Sequence, residues 1–111
     1  MLFLKCKEHL LKQNCRAIYL NKNGSKECAC RGENQTACAI GCLIKDQHYS
    51  TGLEGKLAEH PEVLEAIAKS QEIPPEEINA EMLIQLQSVH DDLDVGLWPE
   101  ELQRLEGEYF P

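Results

Sequence analysis

The sequence has no long hydrophobic run. Its longest uncharged apolar stretch is residues 37–44, far below the roughly 20 residues that a membrane-spanning helix needs. Near the N-terminus, the apolar residues 1–4 are followed at once by Lys5 and Lys7, which interrupts the apolar core that a signal peptide requires. We therefore expect an intracellular, cytoplasmic protein that makes no contact with a membrane.

Aromatic residues are also scarce, at 5% of 111 residues. A hydrophobic core therefore has to be built mainly from Leu, Ile, Val, Ala and Cys. With 42% hydrophobic and 27% charged residues, the composition is still that of a globular protein, and the length fits one domain over residues 1–111. A basic stripe with interleaved aromatic residues is missing, so we expect no direct binding of nucleic acid.

Common catalytic signatures are missing as well. The sequence contains no glycine-rich phosphate loop, no H-E-x-x-H and no G-x-S-x-G, so we expect no catalytic residues. A cysteine nucleophile with His48 or His90 as its base, and Asp91 or Asp92 to orient that base, is conceivable. No spacing marks such a group, and a small cysteine-dependent enzyme is the weakest of the alternatives.

Periodicity predicts a mostly helical, small α+β domain with one β-hairpin near the N-terminus. Apolar residues at helical spacing, with charges between them, predict a helix over 2–13. Two runs of strand-forming residues around Asn23-Gly24, a specific turn signal, predict the hairpin over 16–30. Proline followed by carboxylates, a helix-start signal, occurs three times in the second half of the chain. We therefore expect further helices over 36–44, 61–70, 75–93 and 99–108. The helix over 36–44 is nearly all small or apolar and should be buried. The helix over 75–93 has an alternative start at Asn79.

Four of the six cysteines lie close together in the sequence, namely Cys28, Cys30, Cys38 and Cys42. Thiolates at this density suit zinc or an iron–sulfur cluster, and a helix would place Cys38 and Cys42 on one face. The paired C-x2-C of most zinc sites is missing, however. Buried structural cysteines, redox chemistry and a metal-stabilised module therefore remain open. We expect no cofactor; if zinc binds, its ligands are Cys28, Cys38 and Cys42, with Cys30 or His48 as the fourth.

Charge divides the chain into a basic and an acidic part. Residues 1–45 carry eight basic and three acidic residues, whereas residues 46–111 carry three basic and sixteen acidic ones. Asp91, Asp92 and Asp94 fall within four residues at the end of a predicted helix, where they repel one another unless water, a cation or a basic partner lies opposite. We expect this acidic surface to bind a protein with a basic surface; a homo-oligomer is an alternative.

A longer motif occupies the middle of the chain. It consists of Arg31-Gly32, CAIGCLI at 38–44, Asp46, Tyr49 and Leu53-Glu54-Gly55, with Leu86-Gln87, His90-Asp91 and Trp98 further on. Together these residues resemble a family of small proteins of bacteria and their phages. Two positions depart from the family pattern: Cys30 replaces an aromatic residue, which weakens a four-thiol site, and Lys45 replaces proline.

The resemblance implies a bacterial or phage setting and brings no activity with it. We therefore expect a non-enzymatic binding protein, encoded by a phage or prophage, that acts on a host protein through its acidic surface, for example to inhibit host defence. The alternatives are the zinc-stabilised cysteine module and the small cysteine-dependent enzyme.

Overall fold

The computed structural model describes residues 2–20, 26–28, 31–32 and 35–110, with backbone only for 19, 20 and 26–28. Within these ranges the chain forms four α-helices: α1 (Leu2–Gln13), α2 (Pro61–Gln71), α3 (Ala80–Asp92) and α4 (Trp98–Tyr109). Short 3-10 turns lie at Gly41–Leu43, Asp46–His48, Thr51–Leu53, Pro75–Glu77 and Val95–Leu97. No helix in the described ranges has both the length and the apolar character needed to cross a membrane.

Three helices begin and end close to their predicted positions. The bounds of α1, α2 and α4 lie within one residue of 2–13, 61–70 and 99–108. Helix α1 ends where Asn14 adopts a left-handed backbone conformation with φ of 53°, which Asn tolerates better than most residues. The ring of His60 caps α2 by accepting the backbone N–H of Glu62. These end signals act within a few residues, so the sequence reveals them.

The predicted helix over 36–44 is wrong. This segment has a 3-10 turn at Gly41–Leu43 instead of an α-helix, although its predicted burial is confirmed. Side chains from distant helices bind backbone groups at the start of this segment. Gln13 Oε1 accepts the N–H of Ala37 at 2.9 Å, and Gln87 Oε1 accepts the N–H of Ile40 at 3.3 Å. A buried backbone needs such partners, and here tertiary contacts supply them.

The predicted helix over 75–93 is two elements. Pro75–Glu77 forms a 3-10 turn, and α3 begins only after Asn79. The side-chain oxygen of Asn79 accepts the N–H of Met82 at 3.0 Å, which is the usual role of asparagine at a helix N-terminus. The cap at Asn79, and not the earlier proline, therefore sets the start of α3.

The α+β class is also wrong, because the described chain is mostly helical and has no β-sheet layer. The predicted hairpin over 16–30 does not give the fold a β layer, because only two short strands pair there. Extended pairing in the described ranges consists of β1 (Ile18–Leu20) and β2 (Lys26–Cys28), three residues each and antiparallel, together with an isolated bridge between Arg31 and Ala37. Two such short strands are unstable by themselves. The Asn23-Gly24 turn lies outside the described residues.

One cluster of buried side chains connects the four helices. Helix α3 packs against α1 and α4, while α2 packs against the turns at 41–43 and 46–48. The core is mainly aliphatic, as the composition predicts, with Phe3 and Trp98 as its large aromatic members. The largest fully buried side chains are Trp98, Phe3, Leu10, Leu43, Ile67, Leu83, Leu86, Leu102, Leu105, His90, Val63 and Cys6.

Gly32 lies where two segments cross at van der Waals distance. A Cβ atom added there would lie 2.5 Å from the backbone nitrogen of Ile18 and 2.6 Å from Oγ1 of Thr36. Moving backbone atoms away from the added Cβ costs free energy. We therefore expect Gly32→Ala to lower the free energy of unfolding by about 1–3 kcal/mol, measured by urea denaturation. Gly96→Ala is the matched control, because a Cβ at Gly96 meets nothing within 4 Å. Equal stability of the two variants would contradict this close approach.

Candidate functional site

The C-terminal part of α3 contains a fully buried histidine. His90 Nε2 lies 2.9 Å from the backbone nitrogen of Ala17 and accepts its N–H. A neutral imidazole that accepts at one nitrogen carries its proton on the other. Nδ1–H therefore donates to Oδ1 of Asp91, at 2.7 Å. The ring also lies beside Trp98, with 5.7 Å between the ring centroids.

Asp91 extends this network across the helix. Its Oδ1 also accepts a hydrogen bond from Gln87 Nε2, at 2.8 Å. The side-chain oxygen of Gln87 in turn accepts the N–H of Ile40. A continuous set of hydrogen bonds thus runs from residue 17 to residue 40 through one face of α3. It holds two distant segments against the same helix and fixes the orientation of Asp91.

The side chain of Arg16 caps the C-terminal end of α3. Its Nε donates to the carbonyl oxygen of His90 at 3.0 Å, and a terminal nitrogen donates to the carbonyl of Leu93. The same Leu93 carbonyl accepts the indole N–H of Trp98 at 3.2 Å. The last carbonyls of a helix have no partner within it, so the guanidinium group stabilises this end of α3.

A second polar cluster brings together residues of the motif around 31–54. The guanidinium group of Arg31 lies 3.0 Å from Asp46 and 5.1 Å from the ring centroid of Tyr49. The Tyr49 hydroxyl donates to Oε2 of Glu54, and the backbone N–H of Arg31 donates to the same oxygen at 3.3 Å. These contacts position Glu54 at the start of the loop that follows.

A cleft of about 290 Å³ lies between these two clusters. One wall is the loop over 54–58, and the other is the exposed side of α3. Its polar lining residues are Glu54, Lys56, Gln87, Ser88, Asp91 and Asp92, and its apolar side chains are Ile40, Leu57, Ala58 and Ile84. Leu57 on the rim is 55% exposed, whereas Ile40 at the bottom is 4% exposed.

Carboxylates determine the charge of the cleft. Asp92 is exposed, and the side chain of Asp91 is 34% exposed. Lys56 also lines the cleft, but its ammonium nitrogen lies 2.5 Å from Oε2 of Glu62, which is not part of the lining. This pairing lowers the pKa of Glu62 and offsets the charge of Lys56. The cleft therefore favours a positively charged group.

The structure separates the three predicted interface acids. Asp91 and Asp92 line the cleft, whereas Asp94 is exposed outside that lining, just before the Val95–Leu97 turn. Asp91 differs from its neighbours because it also holds His90 and Gln87. Asp92 is thus the acid whose charge is available to a partner without a role in the buried network.

The predicted metal ligands are not brought together in the part of the chain that the structure describes. Among those residues, no three His, Cys, Asp or Glu side chains form a group that can hold a metal ion. His48 lies on the 46–48 turn and lines a different cleft from the one at α3. The side chain of Cys28 and all of Cys30 lie outside the described residues. A zinc site that uses them stays a prediction.

His90 is poorly placed to act as a base for a cysteine nucleophile. Both ring nitrogens are engaged, and Nε2 would have to give up the N–H of Ala17 before it accepted a proton from a thiol. The other candidate base, His48, has its Nε2 3.3 Å from the amide nitrogen of Gln47. In this arrangement the hydrogen bonds of His90 tie α3 to the backbone of Ala17 and so stabilise the fold.

Sequence reasoning missed most of the lining of the cleft. Glu54 and Gln87 appeared in the sequence only as members of the resemblance, and Leu57 and Ser88 carried no signal at all. The acid at position 54 meets those at 91 and 92 only through tertiary packing. No local pattern contains that information.

The chain matches no model of a protein family, no curated protein and no solved structure. Its resemblance to small proteins of bacteria and phages therefore stays an expectation, and the case for a function depends on the site.

Proposed function

We propose that the protein is a non-enzymatic binding protein whose cleft accepts a lysine or arginine side chain of a partner protein. The observation that carries this proposal is the position of Asp91 and Asp92 at the edge of a cleft that also has apolar walls. Lysine and arginine have an apolar stem and a charged head. The stem would pack against Ile84 and Leu57, and the head would lie near the carboxylates.

An exposed apolar residue at the rim supports a protein partner over a small ion. Leu57 is 55% exposed and lines the same cleft as the acidic groups. Protein interfaces combine apolar anchors with a polar rim, and a cleft lined by both Leu57 and Asp92 has that combination. A basic partner surface would cover Leu57 while it pairs with the acids.

Both walls of the cleft are held in place before any partner arrives. The hydrogen bonds of His90, Gln87 and Asp91 fix the helical wall. The contacts of Arg31 and Tyr49 with Glu54 fix the loop wall. A site that is already ordered loses less conformational entropy on binding, which favours specific recognition.

We further propose, from the resemblance to bacterial and phage proteins, that the protein acts in a bacterial cytoplasm. There the protein, encoded by a phage or prophage, would act on a host protein with a basic surface. Binding to a second copy of the chain is the alternative, and size-exclusion chromatography of the purified protein separates the two.

The test immobilises the protein, exposes it to bacterial lysate and washes at low and moderate salt. We expect Asp92→Lys to reduce the amount of captured partner about tenfold or more, because charge reversal opposes a basic group. Capture by the unchanged protein should weaken as salt rises. Lysine at the end of α3 suits the helix dipole, so the substitution is compatible with folding.

Glu100→Lys is the matched control for this experiment. It makes the same change in net charge at an exposed position in the first turn of α4, outside the cleft lining. Capture by Glu100→Lys should equal capture by the unchanged protein, and Asp94→Asn should have a smaller effect than Asp92→Asn. Equal losses in Asp92→Lys and Glu100→Lys, or a flat salt dependence, would place the interface elsewhere.

A further inference from the structure

Two thiols meet where α1 packs against the 37–44 segment. The thiols of Cys6 and Cys42 both donate to the carbonyl oxygen of Ala39, at 3.2 and 3.1 Å. Cys38 belongs to the same region, and its sulfur accepts the N–H of Gly41 at 3.1 Å. Two sulfur atoms on one carbonyl oxygen are close neighbours, although Cys6 and Cys42 belong to different elements of the fold.

The two donors differ in their access to solvent. Cys6 is fully buried, whereas Cys42 is half-buried. The pKa of the Cys6 thiol is raised well above its usual value, first by the neighbouring Cys42 thiol and then by burial. Of these two thiols, Cys42 is therefore the one that a dissolved oxidant reaches first, because a thiol must be accessible to react.

We propose that Cys6 and Cys42 form an oxidant-sensitive thiol pair, in which Cys42 reacts with a hydroperoxide and Cys6 then closes a disulfide. This inference does not depend on the proposed partner binding, because it concerns the core below the cleft. It assigns a chemical role to Cys6, which lies outside the cysteine cluster of the sequence.

The chemistry takes place in two steps. The Cys42 thiolate attacks one oxygen of the peroxide, the O–O bond breaks, and the second oxygen leaves as water or alcohol after it takes a proton. Cys42 is then a sulfenic acid. The Cys6 sulfur attacks the Cys42 sulfur, an S–S bond forms, and the S–O bond breaks. The leaving hydroxide takes the proton of Cys6 and departs as water, so two thiols are oxidised and one peroxide is reduced.

The test treats the full chain with hydrogen peroxide, unfolds it, alkylates the remaining thiols and maps the links by mass spectrometry. Trypsin leaves Cys38 and Cys42 in one peptide, because the nearest cleavage sites are Arg31 and Lys45. The Cys38→Ala variant therefore makes the assignment unambiguous. In this variant and in the unchanged protein, we expect a disulfide between Cys6 and Cys42.

Matched cysteine variants distinguish this pair from general oxidation. Cys42→Ala should leave Cys6 open to alkylation after peroxide and unfolding. Cys15→Ala, which removes an exposed thiol, should keep the link. In Cys6→Ala, Cys42 should accumulate as a sulfenic acid that dimedone traps. A link between Cys38 and Cys42, or a Cys6 that stays reduced in the unchanged protein, would overturn the proposal.

Discussion

Ile40→Asp is expected to unfold the protein at room temperature. Ile40 is 4% exposed and lines the same cleft as Glu54 and Asp91. A buried charge without a partner costs several kcal/mol, against a total stability of about 5–15 kcal/mol for a domain of this kind. The carboxylates nearby add repulsion. Far-UV circular dichroism and a thermal melt would show the loss of helix.

Leu57→Asp is the matched control for this prediction. It introduces the same carboxylate into the same cleft, but at a rim position that is 55% exposed. We expect it to remain folded, because water still solvates its charge. An Ile40→Asp variant that melts at the same temperature as the unchanged protein would mean that the 37–44 segment is a surface patch, contrary to its burial in the structure.

His90→Ala is expected to lower the free energy of unfolding by about 3–5 kcal/mol, the range seen when a buried aromatic ring is removed. The substitution opens a cavity beside Trp98. It also leaves the N–H of Ala17 without its acceptor and the carboxylate of Asp91 without one of its donors, and buried polar groups that lose a partner are costly. Urea denaturation measures the change directly.

His90→Phe separates the two contributions. Phenylalanine restores the ring volume but not the hydrogen bonds, so a loss of about 1–3 kcal/mol should remain. His48→Ala serves as the control for a half-buried histidine and should change stability by about 0.5 kcal/mol or less. A His90→Phe variant as stable as the unchanged protein would show that the hydrogen bonds of His90 contribute nothing net.

The helices were largely predictable because their signals are local. Asn14 ends α1, Pro61 follows the cap of α2, and the stripe of apolar residues on α3 faces the core. The prediction of an α+β fold, which depended on the hairpin, was wrong. Strand propensity over 16–30 does not reveal whether paired strands form a layer of the fold. Here the helices cover the core, and the paired strands are three residues long.

The backbone conformation of the 37–44 segment could not be predicted from neighbouring residues in the sequence. Its composition correctly predicts burial, but its conformation depends on hydrogen bonds from Gln13 and Gln87. Neither residue is near it in the sequence. A short segment of small residues adopts the backbone that its neighbours can satisfy, and the neighbours are known only from the fold.

By itself, the sequence determined the positions of α1, α2 and α4 and the accumulation of acids near the end of α3, because caps, periodicity and charge act over a few residues. Only the tertiary structure decided that Glu54 shares a cleft with Asp91 and Asp92. It likewise decided that Cys6 meets Cys42 at one carbonyl and that His90 binds the backbone of Ala17. Such contacts join residues far apart in the chain, and they form only when the whole core packs.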